Sequence, residues 1–460
     1  MATPPTSTRP ARGAELELTV DTLAHGGNGV ARLDGYVVFV AGALPGDRVR
    51  AVVGKSKRAY AEARTVEILE PSPDRIPPRA DHPGAPWQVL AYERQLEVKA
   101  EQVGDALRRI GRLEGFEQDP IVPAVQQWRY RNKLEYSFGS APDGTLVSGF
   151  HAPGRFDEIV PLDDCLLASE RGNRAREQVL AWAREQGLSA WDRRDQRGLL
   201  RNLVIREGRR TGELQVRLVT SPGAIDTDSL IAAVDCEGLF WTQAARVGES
   251  TQGGETTRLS GSKRLREQLG ELELLISPDA FFQTNTEMAE VLYGAAVELA
   301  GLRGHERVFD LYSGIGTIGL ALASRAREVI GVEIVEPAVA DAIDNARRNE
   351  ITNARFFAGD IRLAMRELVA EAGKPDVCVI DPPRAGLSQK VVRRIVEAAA
   401  KRIVYVSCNP TTLAPNAAQL VEAGYTLSRV RPVDMFPQTP HIECVAVLEA
   451  GPDGVANPDR

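Results

Sequence analysis

From about Arg307 the chain alternates short apolar runs rich in β-branched residues with segments of helical periodicity. The apolar runs lie at 308–311, 329–332, 355–357, 377–380, 403–406 and 444–448. Runs this short, bounded by turn residues, are typical of buried strands, and strands that alternate with helices form a parallel sheet covered on both faces. We therefore predict a doubly wound α/β sheet of Rossmann type, whose ligands bind at the carboxyl ends of the strands.

The stretch before residue 70 has a different rhythm. Five short alternating runs lie between Glu15 and Leu69, separated by turn signals at 25–29 (HGGNG) and 45–47 (PGD). Five short strands with glycine corners predict a small barrel of oligonucleotide-binding type. The cations of residues 48–64 surround Tyr60 and suit a nucleic-acid backbone and a stacked base. A solvated, charged barrel surface is the alternative.

Chain length and composition set the domain organisation. A chain of 460 residues is too long for one core. We predict a loose tail at 1–12, the barrel at 13–72, a mixed strand-rich central domain at 73–270, the Rossmann-like domain at 271–450 and a tail at 451–460. The net charge of −7 argues against a protein that coats nucleic acid, so RNA contacts are expected on local basic stretches, at 48–64 and at 130–133 (YRNK).

The cysteines and the apolar segments restrict the setting of the protein. The five cysteines have no paired spacing typical of a zinc site or a disulfide framework, and the five histidines are equally dispersed. We expect no metal site and a reducing, cytoplasmic setting. No stretch has the length and apolarity of a signal peptide or a membrane span, so no membrane partner is expected.

The first turn of the α/β region suits an adenosine-containing cofactor. Residues 310–319 (DLYSGIGTIG) place glycines at 314, 316 and 319, between the first strand and the first helix. Glycine there allows a sharp turn and a close approach of backbone to ligand. Glu333 ends the second strand, where a carboxylate can accept both ribose hydroxyls. These features allow either NAD or S-adenosylmethionine.

Three further residues lie where chemistry can occur. Asp381 opens the sequence DPPRAG after the fourth strand, and such acidic-Pro-Pro loops resemble those of base methyltransferases, which favours S-adenosylmethionine. Cys408 follows the apolar run 403–406, so its thiol is placed either for catalysis or as an ordinary buried thiol. Glu443, just before the last strand, is either a general base or a surface glutamate.

One upstream segment carries an amide beside two aromatic rings. Residues 277–285 (SPDAFFQTN) place Gln283 directly after Phe281 and Phe282. The amide of Gln283 can bind a cofactor carboxylate or a base edge, and by spacing alone it is equally well a structural amide.

Taken in order, these segments resemble the signature series of the RNA uracil-5-methyltransferases. The segments are 277–285, 381–386 (DPPRAG), 403–412 (IVYVSCNPTT) and 433–443 (VDMFPQTPHIE), and the barrel with HGGNGVA at 25–31 resembles the TRAM domain of that family. The resemblance runs from about residue 15 to residue 449. It implies an S-adenosylmethionine-dependent enzyme that makes 5-methyluridine.

The resemblance also implies roles for individual residues. Cys408 is the matching nucleophile, which adds to C6 of uracil and activates C5, and Glu443 is the matching base, which removes the C5 proton. The uridine is flipped from its stack, with Phe281 and Phe282 packing nearby. The residues that match cofactor-binding or base-orienting positions are Gln283, Tyr312, Gly314, Thr317, Glu333 and Asp381.

Two positions depart from the family pattern. Many members hold an iron–sulfur cluster with four cysteines, three of which lie near residues 80–87. Here that stretch is ADHPGAPW and only Cys165 remains, so we expect no cluster, because one thiolate cannot hold it. Relatives often have asparagine at the position of Thr317, which makes its cofactor role the least secure of the set.

The sequence therefore predicts a cytoplasmic RNA uracil-C5 methyltransferase that binds S-adenosylmethionine and acts as a monomer. We expect ribosomal RNA as its substrate ahead of transfer RNA. Two other functions stay open: methyl transfer to an adenine nitrogen, which needs no thiolate, and a non-catalytic RNA-binding protein on a methyltransferase scaffold.

Overall fold

The computed structural model describes residues 9–155, 157–245, 251 and 253–451. Of the predicted tails, residues 1–8 and 452–460 lie outside the described residues. Residues 9–12 lie along the barrel, where Arg9 Nε donates to Ser56 Oγ at 2.9 Å. The described chain forms a closed barrel, a seven-stranded sheet, a two-stranded hairpin and an eight-stranded sheet.

The barrel is the predicted five-stranded one. Its strands are β1 (Glu15–Leu23), β2 (Gly29–Leu33), β3 (Tyr36–Ala41), β4 (Arg48–Ser56) and β5 (Tyr60–Glu70). They close in the order β1-β2-β3-β5-β4, with β1 pairing both β2 and β4. Inward side chains alternate with outward ones, as in any barrel strand, and Val38, Val40 and Val49 are fully buried.

A helix connects the barrel to the eight-stranded sheet. Helix α1 (Tyr92–Asp105) continues through a π-helical turn, Ala106–Ile110, and strand β6 (Glu117–Gln118) follows. At its start Val98 packs with Trp87 against residues of the barrel. At its end Val103 and Leu107 enter the core of the eight-stranded sheet. The helix thus fixes the barrel relative to the edge of that sheet.

The central part of the chain is strand-rich, as predicted. Its seven strands are β7 (Lys133–Ser140), β8 (Leu146–His151), β9 (Ile159–Pro161), β10 (Leu200–Glu207), β11 (Leu214–Thr220), β12 (Gly238–Gln243) and β13 (Glu255–Gly261), and its helices are α2 (Glu170–Glu185) and α3 (Thr227–Ala233). The order is β13-β12-β11-β10-β7-β8-β9. Apolar side chains such as Val179 of α2 and Leu203 of β10 form the core between helices and sheet. The other face carries Lys133, Arg206 and Arg217, because side chains alternate along a strand.

The hairpin of β14 (Leu265–Leu269) and β15 (Leu272–Ile276) leads into the eight-stranded sheet. The remaining strands are β16 (Arg307–Leu311), β17 (Glu328–Glu333), β18 (Ala354–Ala358), β19 (Val377–Ile380), β20 (Arg402–Ser407), β21 (Tyr425–Val433) and β22 (Glu443–Ala450). The helices are α4 (Thr286–Ala300), α5 (Thr317–Ala323), α6 (Glu336–Arg348), α7 (Ile361–Ala372), α8 (Gln389–Ala398) and α9 (Pro410–Glu422). The strand order is β18-β17-β16-β19-β20-β22-β21-β6.

This sheet is the predicted doubly wound one. Strands β16 to β20 are parallel, and the strand order reverses between β16 and β19, where such sheets bind ligands. Strand β22 runs antiparallel to β20, so its first residue lies at the same edge as the last residues of the parallel strands. Separate apolar cores cover the two faces. Among the described residues no helix is long and apolar enough to cross a membrane.

Candidate active site

The predicted site residues meet at one edge of the eight-stranded sheet. Glu333 ends β17, Tyr312 follows β16, Asp381 follows β19 and Cys408 follows β20, while Glu443 opens β22. The parallel strands carry their carboxyl ends to this edge, and β22 returns to it from the other direction.

The register of β20 and β22 brings the thiol and the glutamate together. Ser407 pairs with Cys444 across these antiparallel strands. Cys408 follows Ser407 and Glu443 precedes Cys444, so the thiol and the carboxyl directly adjoin this pair at the sheet edge. The charge of Glu443 contributes to the raised pKa of the Cys408 thiol, as expected for neighbouring groups.

Burial dominates the protonation of this pair. Glu443 is 2% exposed and its Oε2 has no hydrogen-bond partner among the described residues. Burial raises the pKa of Glu443 well above its usual range, and the nearby carboxyl of Asp381 adds to this rise. Burial, Glu443 and Asp381 raise the pKa of the Cys408 thiol to about 12. In the free protein the thiol is therefore neutral at pH 7.

Asp381 is the second carboxyl of the site. Burial raises its pKa to about 7. Its backbone N–H donates to Leu311 O at 3.3 Å, which ties the loop after β19 to β16. A carboxyl that exchanges its proton near neutral pH suits a group that hydrogen-bonds a base edge or passes a proton.

One cationic side chain, Arg384, lies at the rim of the site, and burial together with nearby cations lowers the pKa of His441 to about 4. Arg384 Nη2 contacts His441 Nδ1 at 2.5 Å, and Asn409 Nδ2 donates to Arg384 O at 3.1 Å. The charge of Arg384 lowers the pKa of the Cys408 thiol, against the larger effect of burial. Burial, followed by Arg384, also lowers the pKa of His25, which places the first barrel loop beside this rim.

The turn after β16 contains three residues in the left-handed region of backbone conformation. Tyr312, Gly314 and Gly316 have φ values of +67°, +54° and +86°. A Cβ at Gly316 would lie 2.9 Å from Phe356 Cζ, whereas a Cβ at Gly314 would meet open space. Gly314 N–H donates to Glu333 Oε2 at 3.1 Å. The turn therefore has open space beside Gly314, next to the Glu333 carboxylate.

The groups around this turn fit S-adenosylmethionine. Ile334, directly after Glu333, is 65% exposed, and Val335 is 50% exposed, so a flat apolar ring can pack beside the carboxylate. Asp310 is fully buried, with Oδ1 lacking a partner among the described residues, and burial raises its pKa to about 7. Carboxyls with unsatisfied oxygens suit the positive sulfonium and ammonium groups of that cofactor.

Gln283 lies in a segment that we call the Gln283 loop, residues 277–285. Gln283 is 5% exposed, and Asn285 caps α4 by accepting from Met288 N–H at 3.2 Å. Asn285 Nδ2 donates to Met435 O at 2.9 Å, which joins the Gln283 loop to the segment before Glu443.

The two phenylalanines of this loop have different surroundings. Phe281 is 68% exposed, whereas Phe282 is 4% exposed and packs in the core of the sheet. The prediction that both rings pack beside the flipped uridine therefore needs correction. Phe281 has the free ring, and Phe282 anchors the loop.

Thr317 has a structural role in the fold that can account for its presence without a ligand. It is 8% exposed and opens α5. Its hydroxyl hydrogen-bonds the phenol of Tyr293, which opposes the rise that burial gives the pKa of Tyr293. A direct contact of Thr317 with the cofactor stays a prediction.

Several residues of the site were not given a role from the sequence. These are Asp310, Tyr293, Arg384, His441 and Arg206. Asp310 opens the glycine motif and Arg384 lies within DPPRAG, so their positions offered a signal. Tyr293 and Arg206 reach the site through tertiary packing alone, so no local sequence pattern predicts a role for them there.

Cys165 lies apart from this edge. It is fully buried, and its Sγ contacts His82 Nε2 at 3.3 Å. Within the described residues no group of three or more His, Cys, Asp or Glu side chains is arranged to hold a metal ion. The expectation that the chain holds no iron–sulfur cluster stays a prediction.

Comparison with known proteins assigns two regions of the chain. Residues 268–451 match the tRNA (uracil-5-)-methyltransferase family, and residues 10–66 match the TRAM domain. An uncharacterized RNA methyltransferase of Halalkalibacterium halodurans is 38% identical over 94% of this chain and 96% of its own length. One from Chlorobaculum tepidum is 38% identical, over 95% of this chain and 97% of its own length.

One solved structure resembles the whole chain. It is the Pyrococcus abyssi tRNA (uracil-54, C5)-methyltransferase in complex with S-adenosyl-L-homocysteine, with a TM-score of 0.77 and 29% identity, covering 94% of this chain and 100% of that one. The closed five-stranded barrel, residues 15–70, overlaps the region that matches the TRAM domain. The chain belongs to the S-adenosylmethionine-dependent RNA uracil-5-methyltransferase family.

Proposed function

We propose that this protein methylates C5 of a uridine in RNA through a covalent bond between Cys408 Sγ and C6 of the base. The observation that carries the proposal is the pairing of Ser407 with Cys444 across β20 and β22, because Cys408 and the buried Glu443 directly adjoin that pair. Transfer to an adenine nitrogen requires no such pair. A non-catalytic scaffold would have no reason to keep an unpartnered glutamate buried at this cost.

The thiol supplies the activation that C5 lacks. The Cys408 thiol first loses its proton to solvent by way of Asp381, a nearby carboxyl whose pKa is raised to about 7. The thiolate then bonds to C6, and the electrons of the C5=C6 bond move toward O4 to form an enolate. C5 then carries enough electron density to take the methyl group. Arg384 at the rim favours the thiolate, because a positive charge lowers the pKa of the Cys408 thiol.

The carboxyl completes the cycle. Burial favours the protonated form of Glu443, so its proton has to pass to solvent before this step, which a positively charged cofactor nearby would favour. After methylation, the Glu443 carboxylate takes the C5 proton, the electrons re-form the C5=C6 bond, and the C6–S bond breaks to return the thiolate. Because burial raises the pKa of Glu443, this carboxylate is a stronger base than an exposed one. Asp381, with a pKa raised to about 7, is suited to orient the uracil edge by hydrogen bonding.

The residues that we assign to cofactor binding lie mainly at the same edge of the sheet. S-adenosylmethionine supplies an electrophilic methyl group and a positive charge. We assign Glu333 to the ribose hydroxyls and the backbone at Gly314 to close contact with the cofactor. Tyr312 follows β16 at the same edge. For Gln283 and Thr317 we retain the cofactor roles implied by the family.

The RNA path that we propose starts at the barrel. Arg48, Arg50 and Lys55 form ion pairs with barrel glutamates. Lys57 and Arg58 form no ion pair within the described part of the chain. A groove of about 470 Å³ is lined by Arg9, Arg12, Lys55 and Lys57 among others, and phosphates suit such a groove. From there the path leads to the rim at Arg384.

The class of RNA is a separate question. The sequence favours ribosomal RNA, and this stays a prediction, as does the monomeric state. The Pyrococcus abyssi relative acts on uracil 54 of a tRNA, which supports a tRNA uridine as the second candidate.

The test is methyl transfer from labelled S-adenosylmethionine to separated, unmodified ribosomal and transfer RNA, followed by nucleoside analysis. Label in 5-methyluridine from one RNA, absent with Cys408→Ala and retained with Cys236→Ala, would support the proposal and name the substrate. Cys236 is a fair control because it is a partly buried cysteine outside the sheet edge. Label in another nucleoside, or activity that survives Cys408→Ala, would contradict the mechanism.

RNA that contains 5-fluorouridine gives a second test. Fluorine at C5 cannot leave as a cation, so the adduct methylated at C5 persists with Cys408 still bound to C6. We expect a protein–RNA species that resists denaturant and that Cys408→Ala abolishes. Absence of this species from an active enzyme would exclude the covalent step.

A further inference from the structure

A buried arginine of the seven-stranded sheet contacts the Gln283 loop. Arg206 lies on β10 and is 4% exposed. Its Nη1 donates to Ser277 O at 3.2 Å and its Nη2 donates to Ala280 O at 2.7 Å. Both acceptors are backbone carbonyls of the Gln283 loop. The side chain therefore clamps the first half of this loop from the neighbouring sheet.

Arg206 is charged, and its guanidinium has the geometry to donate to two carbonyls. Within the described residues Arg206 forms no ion pair. Burial and the nearby Arg217 lower its pKa to about 10, so the guanidinium is still charged at pH 7. A planar fork can serve two carbonyls at once, which a lysine ammonium on a flexible stem does less well.

A second contact holds the other half of the loop. Asn132 Nδ2 donates to Gln283 O at 2.9 Å and to Thr286 Oγ1 at 2.8 Å. The backbone N–H of Asn132 donates to Thr284 O at 3.0 Å. Asn132 is 3% exposed, and it belongs to the segment 130–133 that the sequence assigned to RNA. Its amide is committed to the loop and does not face a ligand.

An ion pair adds a third tie between the same two regions. Arg217 of β11 pairs with Asp279 at the surface of the loop. All three ties start on β10, β11 or just before β7 and end within ten residues of chain around Gln283. These polar ties act in addition to Phe282, which packs in the apolar core.

We propose that Arg206 and Asn132 are positioning residues for the methylation, acting through the Gln283 loop. By fixing the carbonyls on both sides of Gln283, they hold its amide and the exposed Phe281 ring in the orientation that the substrate base meets. The kinetic part of this proposal rests on the proposed function. The structural part does not.

Two substitutions have matched controls in the chain. Arg176 is 1% exposed and donates to Ser148 O at 3.3 Å and Asp163 O at 2.9 Å, away from any site loop. Asn353 donates to Ala323 O at 2.8 Å and Ala326 O at 3.0 Å, at the opposite edge of the eight-stranded sheet. We therefore compare Arg206→Met with Arg176→Met, and Asn132→Ala with Asn353→Ala.

Amide hydrogen exchange of residues 277–286 is the first readout, because it does not depend on the reaction. We expect exchange in this segment to be at least fivefold faster in Arg206→Met and Asn132→Ala than in the wild type, and unchanged in both controls. Equal exchange in the variants and their controls would overturn the proposal even if the enzyme makes 5-methyluridine.

Steady-state kinetics are the second readout. We expect kcat to fall at least tenfold in both variants, with KM for RNA within threefold of the wild type, while the controls keep kcat within twofold at a similar loss of Tm. If kcat falls by the same factor in variants and controls that lose the same Tm, Arg206 and Asn132 have a merely structural role. Arg206→Lys keeps the positive charge and should retain more of kcat than Arg206→Met does. If Arg206→Met does not fold, Arg206→Lys and Asn132→Ala still test the proposal.

Discussion

The barrel and the edge of the eight-stranded sheet differ in how their charged side chains are exposed and paired. In the barrel, Arg50 pairs with Glu67 at 2.5 Å and Lys55 with Glu62 at 3.1 Å, and all four side chains are 40% exposed or more. At the sheet edge, Asp310 and Glu443 are at most 2% exposed, and neither forms an ion pair within the described residues. The barrel has exposed charges that form ion pairs, whereas the sheet edge has buried carboxyls that form none.

The difference indicates where stability has been given up for chemistry. An exposed ion pair costs little to keep and contributes about 0–1 kcal/mol. A buried, unpartnered carboxyl destabilises the fold and is kept protonated by its surroundings. The acids of the sheet edge therefore mark the reaction site more strongly than the larger number of charges on the barrel. Four predictions test this contrast.

The largest effect is expected from Glu443→Gln. The amide keeps the shape of the side chain but cannot take the C5 proton, so the adduct on Cys408 forms and then fails to resolve. We expect turnover to fall by about 10²–10⁴-fold, with covalent protein–RNA species accumulating on ordinary uridine RNA. Denaturing gels and initial rates measure the two quantities.

The matched barrel change is Glu67→Gln, which removes a carboxylate of the same type from an exposed ion pair. Its turnover and its Tm should stay close to the wild type. Loss of activity without adduct in Glu443→Gln would assign the carboxyl to an earlier step than proton removal.

A buried ion pair provides the next test. Lys99 Nζ of α1 contacts Asp434 Oδ1 at 2.6 Å, and both side chains are fully buried. This pair fixes the segment that leads to Glu443, and Tyr92 OH also donates to Asp434, at 2.8 Å. Because Lys99→Met leaves a carboxylate without its cation, we expect a loss of about 3–5 kcal/mol in the free energy of unfolding.

The barrel again offers the contrast. Arg50→Gln breaks an exposed pair and should cost no more than about 1 kcal/mol. The double variant Lys99→Met/Asp434→Asn should recover part of the loss, since no unpaired charge remains. Urea denaturation of the single and double variants measures the coupling, and equal costs for Lys99→Met and Arg50→Gln would contradict the contrast.

The third prediction concerns pH. Burial raises the pKa of Asp310 to about 7, above the value of 3.8 expected in the unfolded chain. Between these two values the folded protein binds more protons than the unfolded chain, so its stability falls as pH rises from about 4 to about 7. One such group gives a slope of roughly 1.4 kcal/mol per pH unit.

Asp310→Asn removes this titration while keeping an acceptor for the Gly319 N–H, which lies 2.9 Å from Asp310 Oδ2. In the cofactor-free protein we expect a flatter dependence of unfolding free energy on pH from 5 to 7 and a more stable variant at pH 8. An unchanged slope would show that Asp310 is ionised throughout. Asp381 contributes a similar slope by the same reasoning, with a pKa raised to about 7.

Local patterns predicted the fold well because they reflect short-range physics. Period-2 alternation predicted the five barrel strands, and apolar runs between helices predicted the parallel strands, with Glu333, Asp381 and Cys408 at their carboxyl ends. Residues at strand ends are brought together by topology alone, so the sheet edge was accessible from the sequence.

The remaining parts of the site depend on register and tertiary contact. The surrounding sequence favoured a surface glutamate at 443, and only the resemblance to the family assigned it as a base. The structure buries Glu443 directly before Cys444, which pairs with Ser407. Arg206 lies in a strand with other charged residues, and nothing local distinguishes a buried clamp from a solvated side chain. For the same reason the segment 130–133 suggested RNA contact, although the Asn132 side chain holds a loop.

The smallest effect is expected on the barrel, where Lys57 and Arg58 form no ion pair within the described residues, whereas Arg48 and Arg50 do. If phosphates bind the unpaired cations, Lys57→Gln/Arg58→Gln should weaken RNA binding severalfold and lower the slope of log affinity against log salt by about 2. Arg48→Gln/Arg50→Gln removes the same charge, yet should change that slope by less than about 1, because each of these cations already has a carboxylate partner. Filter binding at several salt concentrations measures both slopes. Equal slopes would mean that RNA responds to the overall charge of the barrel and that ion pairing does not select the cations it contacts.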